Sequence, residues 1–143
     1  MEMQDEIKKR RKEEWFEVWF SIEALGTTKE IVEESLKTHI EKMKNVKGAF
    51  VYDTKFYDIQ KVENPIKNVK EGYSQVVEIK FFVKNLITLL NMVMVYGPSA
   101  IEILGPKKKN IEISEIQNIA NMLAGIVHQF AAAGVGGIII TPK

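Results

Sequence analysis

The clearest signal along the chain is strict alternation from Trp15 to Ala24. Phe16, Val18, Phe20 and Ile22 point one way, while Glu17, Ser21 and Glu23 point the other. A period of two over this length predicts a β-strand with one buried face. Leu25-Gly26-Thr27 breaks it, and Thr27 or Thr28 can cap a helix, with Glu30 close enough to help. Val32, Leu36, Ile40 and Met43 then recur every three or four residues, and Glu33, Glu34, Lys37, Glu41 and Lys42 stay outside. That is an amphipathic helix, ending between Asn45 and Gly48.

Ala49 to Val62 is rich in aromatic and β-branched residues and predicts a second strand. Glu63 to Gly72, with Pro65, Asn68 and Gly72, reads as the long connection of a hairpin. Tyr73 to Lys84 returns as a third strand with Val77, Ile79, Phe81 and Val83 on one face. Asn85 to Val95 carries Leu86, Leu89, Leu90 and Val93 at helical spacing, and Tyr96-Gly97-Pro98 stops it. Ser99 to Leu104 predicts a fourth strand. A basic loop, Lys107 to Lys109, leads to a last helix with Ser114 as N-cap and a stripe of Ile116, Ile119, Ala120, Leu123, Ile126, Val127 and Phe130. Gly134-Val135-Gly136-Gly137 and Ile138 to Ile140 then predict a flexible turn and a short edge strand.

The order is βαββαβ with an appended helix and short edge strand. It predicts an α+β, ferredoxin-like antiparallel sheet of four strands with two helices on one face. Residues 1–14 form a charged N-terminal arm or short helix, and residues 15–143 a single domain. No internal repeat is visible.

Composition narrows the chemistry. Of 143 residues, 45% are hydrophobic and 27% charged, which suits a globular domain. Twenty basic against nineteen acidic side chains give a net charge of +1, too balanced for capture of nucleic acid by the whole surface. With no cysteine, disulfides, thiolate zinc sites and cysteine nucleophiles are excluded. The first residues lack the apolar run of a secretory signal, so a cytoplasmic location is expected. The abundance of Ile, Lys and Glu is compatible with a thermophile.

Two stretches resemble known families. Met43-Lys44-Asn45-Val46-Lys47-Gly48-Ala49-Phe50-Val51 resembles the helix-to-strand corner of ACT-like regulatory domains. That resemblance implies the same fold and the sensing of small ligands at oligomer interfaces. Val76 to Pro106, with Leu89-Leu90, Tyr96-Gly97-Pro98 and Ile101-Glu102-Ile103-Leu104-Gly105-Pro106, is similar to the C-terminal extension of WYL-type transcription regulators, also a ferredoxin-like module. The chain lacks a helix-turn-helix and a WYL core. Both resemblances bear on the fold and transfer no binding residue.

Candidate sites are weighed against plainer roles. His39 and His128, the two histidines, lie on different helices without metal-ligand spacing, so neither a metal nor a cofactor is expected. His39 reads as a surface residue. His128, with Gln117 and Asn121 at helical spacings, reads as a locally hydrogen-bonded histidine, and an enzyme built around it is the third-ranked function. The glycines at 134–137 follow a helix rather than opening one, so they are a turn and not a phosphate loop. Lys8, Lys9, Arg10, Arg11 and Lys12 could neutralise phosphates, but neighbouring acids dilute their field and a solvated tail is the plainer reading. Trp15 and Trp19 lie on the sheet face opposite Phe16, Val18 and Phe20, and Phe82 of the third strand shares that second face. Such aromatics can stack bases, yet cover by the last helix or a second subunit fits a two-layer domain better. Ile119 to Ile140 is apolar but interrupted by Asn121, His128 and Gln129, so a buried or dimer-forming helix is expected rather than a membrane span. The first-ranked function is an oligomerising, non-catalytic regulatory module that senses a small molecule, with Trp15, Trp19, Phe82 and His128 as its binding residues. Nucleic-acid binding is the alternative.

Overall fold

A computed structural model describes residues 2–134. Its contacts divide the chain into two compact units, Met1–Lys109 and Asn110–Lys143. The first holds a five-stranded antiparallel sheet and three helices: α1 (Met3–Lys12), β1 (Phe16–Gly26), α2 (Lys29–Lys44), β2 (Ala49–Phe56), β3 (Gln60–Ile66), β4 (Val69–Val83), α3 (Leu86–Tyr96) and β5 (Ala100–Gly105). The second unit contributes α4 (Ile113–Ala132).

The strands run in the order β2-β4-β1-β5, and β3 also pairs with β4. At fifteen residues β4 is long enough to serve three partners. β1 pairs with it from Tyr73 to Val83, β2 from Val77 to Val83 on the other side, and β3 from Val69 to Ser74. The alternation read from the sequence sets the register: Val18↔Phe81, Phe20↔Ile79 and Ile22↔Val77 put one apolar set on one face. Against it pack Leu36, Ile40 and Met43 of α2 and Leu89, Met92 and Tyr96 of α3. Phe20 and Phe81 meet edge-to-face at 4.8 Å in the middle of this core.

The helix ends follow local chemistry. Thr28 Oγ1 accepts from the Ile31 amide at 3.1 Å, capping α2. Asn85 Oδ1 does the same for the Thr88 amide at the start of α3, and Gly97 closes that helix in the left-handed region at φ 54°. The last helix does not start as the sequence predicts. Its N-cap is Glu112, with no side-chain cap bond, and Ser114 lies inside the first turn.

Two further departures share one cause. Residues 49–62 are not one strand, and 63–72 are not a long loop. The chain bends at 57–59, starts β3, and turns at Lys67-Asn68, where Asn68 takes φ 71°. Pro65 is tolerated because β3 is an edge strand, and the register shifts between Glu63 and Ile66 beside Asn64 at φ 50°. Gly72 is a strand residue: a Cβ there would meet Pro65 Cγ at 2.7 Å and the Gly26 carbonyl oxygen at 3.1 Å. The sheet therefore has five strands rather than four. Ile138 to Ile140, read as an edge strand, lie outside the described residues.

Candidate functional site

The second face of the sheet, away from α2 and α3, carries the features that the apolar core does not explain. At one end it is aromatic. Phe50 pairs with Phe82 across β2 and β4, and the Tyr52 ring lies 5.1 Å from the Phe82 ring. A register shift between Val51 and Asp53 puts Tyr52 at a bulge and sets Asp53 opposite Lys80.

Residues 3–12, read as part of a charged arm, form α1, and this helix lies over the aromatic end. Asp5 and Glu6 fall in its first turn and Lys9 to Lys12 in its last, matching the helix dipole, with Glu6 bonded to Arg10 at 3.0 Å. Ile7 is buried. The Arg10 guanidinium sits 4.7 Å from the Trp15 ring centre and 5.3 Å from that of Phe50, and its Nε is buried without a hydrogen-bond partner among the described residues. Arg11 makes a two-pronged contact with Glu17, at 2.9 and 3.0 Å, and the Tyr52 hydroxyl donates to Glu17 Oε2 at 2.6 Å. The Arg11 bond, reinforced by that of Tyr52, holds the Glu17 carboxyl below its ordinary value. Burial, with the Glu17 carboxylate as acceptor, pushes the Tyr52 phenol up. Two of the five basic residues at 8–12 are thus engaged in structure, and Lys8, Lys9 and Lys12 remain exposed.

The middle of this face is polar. Asp53, Lys80, Trp19 and Glu102 form one row across four strands, and Trp19 is half-buried there. Beyond it, where β2 gives way to β3, lies a cleft of about 340 Å³ lined by Glu23, Tyr57, Asp58, Gln60, Ser74, Gln75, Val76 and Glu78. The Tyr57 hydroxyl donates to Glu78 Oε1 at 2.8 Å. Gln75, buried, donates from Nε2 to the Tyr57 carbonyl oxygen at 2.9 Å, and its Oε1 has no partner among the described residues. Three carboxylates and four neutral polar side chains give the cleft an acidic, hydrogen-bonding wall. No pattern in the sequence marks it, because the aromatic and β-branched run of residues 49–62 hides the bend at 57–59 that creates it.

Trp15 and Trp19 are half-buried, and Phe82, on the same face, is fully buried. His128 is exposed on α4, in the other unit, where Gln117 and Asn121 bond to each other at 3.4 Å. His39 is half-buried, with its ring 5.6 Å from Tyr96. Among the described residues, no group of three or more metal-ligating side chains is placed to hold an ion, and no helix is long and apolar enough to cross a membrane.

Fold and site together define a small α+β domain with an antiparallel sheet, one face buried under two helices and the other latched at one end by a charged helix. The chain belongs to the MJ0538 family, whose profile matches residues 17–133, from Glu17 of β1 to the end of α4. No curated protein matches it.

Proposed function

We propose that this protein is a non-catalytic, homo-oligomerising regulatory module that binds a small molecule. The observation that carries the reading is α4. Ile113, Ile116, Leu123, Val127 and Phe130 are all exposed along it, an apolar run of the kind that marks an interaction surface. The cleft at the β2–β3 bend supports the ligand half of the reading. Glu23, Asp58 and Glu78 suit a small organic cation, and Gln60, Ser74 and Tyr57 supply polar groups to orient it.

The fold supports the same class. With β3 taken as an insertion between β2 and β4, the path β2-β4-β1-β5 with α2 and α3 as crossovers follows the ferredoxin-like plan, on which ACT-like sensors are built. Native mass spectrometry on freshly purified protein tests both halves at once. A homo-oligomer carrying a discrete extra mass is expected. A bare monomer at micromolar concentration would overturn the reading.

A further inference from the structure

The exposed apolar side chains of α4 follow the spacing of an amphipathic helix. From Ile113 the large exposed apolar side chains are Ile116, Leu123, Val127 and Phe130, and with Ala120 they fall at alternating steps of three and four residues, Ala124 being exposed beside them. That is the period of a coiled-coil seam, with Ile113, Ala120 and Val127 in one row and Ile116, Leu123 and Phe130 in the other. A stripe of this period is what a helix presents to another packed element, and α2 presents the same spacing to its sheet.

We infer that the partner is α4 of a second copy of this chain, packed antiparallel. The inference rests on the oligomeric reading above and names its interface. Charge permits self-association: the positions flanking the seam are Gln117, Ala124 and Ala131 on one side and Ile119 and Ile126 on the other, all uncharged. Glu115, the one acidic residue of the helix, lies off the seam. Size permits it as well. Five large apolar side chains, most about half exposed and taken from two copies, amount to on the order of 1,000 Å², where specific interfaces begin.

Direction follows from matching sizes. A parallel pair would set Ala120 against Ala120, leaving a void, and Phe130 against Phe130. The antiparallel pair sets Ile113 against Phe130, Ile116 against Val127 and Ala120 against Leu123, so the smallest residue meets a large one at the centre. It also opposes the two helix dipoles.

The test uses the full chain in two measurements. Light scattering on wild type, Leu123→Glu and, as a charge control, Asn118→Glu on the outer side of α4 reads the state. Wild type and Asn118→Glu are expected to be dimers and Leu123→Glu a monomer with an unchanged thermal transition. A spin label on Ser114→Cys, the single thiol in the chain, then reads direction. Antiparallel packing puts the two labels roughly 20–25 Å apart, from a rise of about 1.5 Å per residue, and parallel packing puts them within about 15 Å. A dimer that Leu123→Glu leaves intact overturns this interface while the oligomeric reading stands. A short label distance overturns the antiparallel arrangement, and a wild-type monomer overturns both readings.

Discussion

The Tyr52 hydroxyl and the Glu17 carboxylate, 35 residues apart in sequence, meet at 2.6 Å on the second face of the sheet. Arg11 reaches the same carboxylate from α1, so a single side chain of β1 ties together a helix, a bulge and a neighbouring strand. Removing the phenol oxygen leaves the partly buried Glu17 with one fewer donor. Tyr52→Phe is expected to cost about 1.5–3 kcal/mol, the usual range for a hydrogen bond to a charged group. Urea unfolding at pH 7 measures it, and an unchanged midpoint would mean that solvent replaces the bond.

Glu17 also sets an acid dependence. Its folded carboxyl titrates below the ordinary value of 4.5, so its contribution is fully present above that value and is lost as pH falls through the lower folded one. Glu17→Gln is expected to destabilise the protein at pH 7 and to flatten the decline as pH falls below about 4.5. Because Arg11 is more than half exposed on its side chain, its share is small, below about 1 kcal/mol. Thermal transitions of the two proteins across that range give the comparison.

Arg10 is the second fastening of α1. Its guanidinium stacks against Trp15 and Phe50, and a ten-residue helix with Ile7 as its buried anchor has little else to hold it. Arg10→Ala is expected to cost about 1 kcal/mol and to shift Trp emission to longer wavelength as water reaches Trp15. Deleting residues 1–12 is expected to do so more strongly and to raise binding of a hydrophobic dye. An unshifted emission maximum in both variants would show that α1 does not shield the ring.

Much of the domain is written plainly in the chain. The two-residue period of β1 and the three-to-four-residue period of α2 each reflect one buried face, and both elements fall where the pattern puts them. Thr28 and Asn85 cap because their short side chains reach an amide three residues on. The β3–β4 hairpin is not legible for an opposite reason. Pro65, Asn64, Asn68 and Gly72 are turn-forming types, yet Asn64 and Pro65 serve a bulge and an edge strand, and Gly72 serves a close crossing. The candidate site is legible only in part. Trp15 and Glu17 sit on the predicted face, but that Arg10 and Arg11 fold back onto it depends on the long-range placement of α1. The cleft depends on a bend, and local propensity does not encode it.

Gly72 offers a test of that crossing. A methyl group there would overlap the Pro65 ring, so Gly72→Ala is expected to cost about 1–3 kcal/mol although it adds a better strand former. Replacing Pro65 by Ala in the same protein removes the nearest ring atom and is expected to recover part of the loss. A double-mutant cycle reads the coupling, and additive effects would rule out the overlap as the cause.

Gln75 is the residue where burial and polarity conflict most directly. It lies at the edge of the core opposite Ala24, is nearly inaccessible, and uses its amide to satisfy the Tyr57 carbonyl where β2 leaves β4. Its other polar atom has no partner among the described residues. Gln75→Glu keeps the shape but replaces the donor with a carboxylate facing a carbonyl oxygen. At neutral pH the variant must either bury that charge beside an acceptor or take up a proton, and a loss of at least about 2 kcal/mol is expected. A protonated carboxyl can donate to the same carbonyl, so the carboxyl is raised in the folded state and stability returns as pH falls. The variant's deficit relative to wild type should therefore shrink from pH 7 to pH 5, opposite in sign to the effect of Glu17. Gln75→Met, which cannot donate at any pH, should show a deficit independent of pH. If both variants behave alike across that range, the Gln75 amide does not hold the bend.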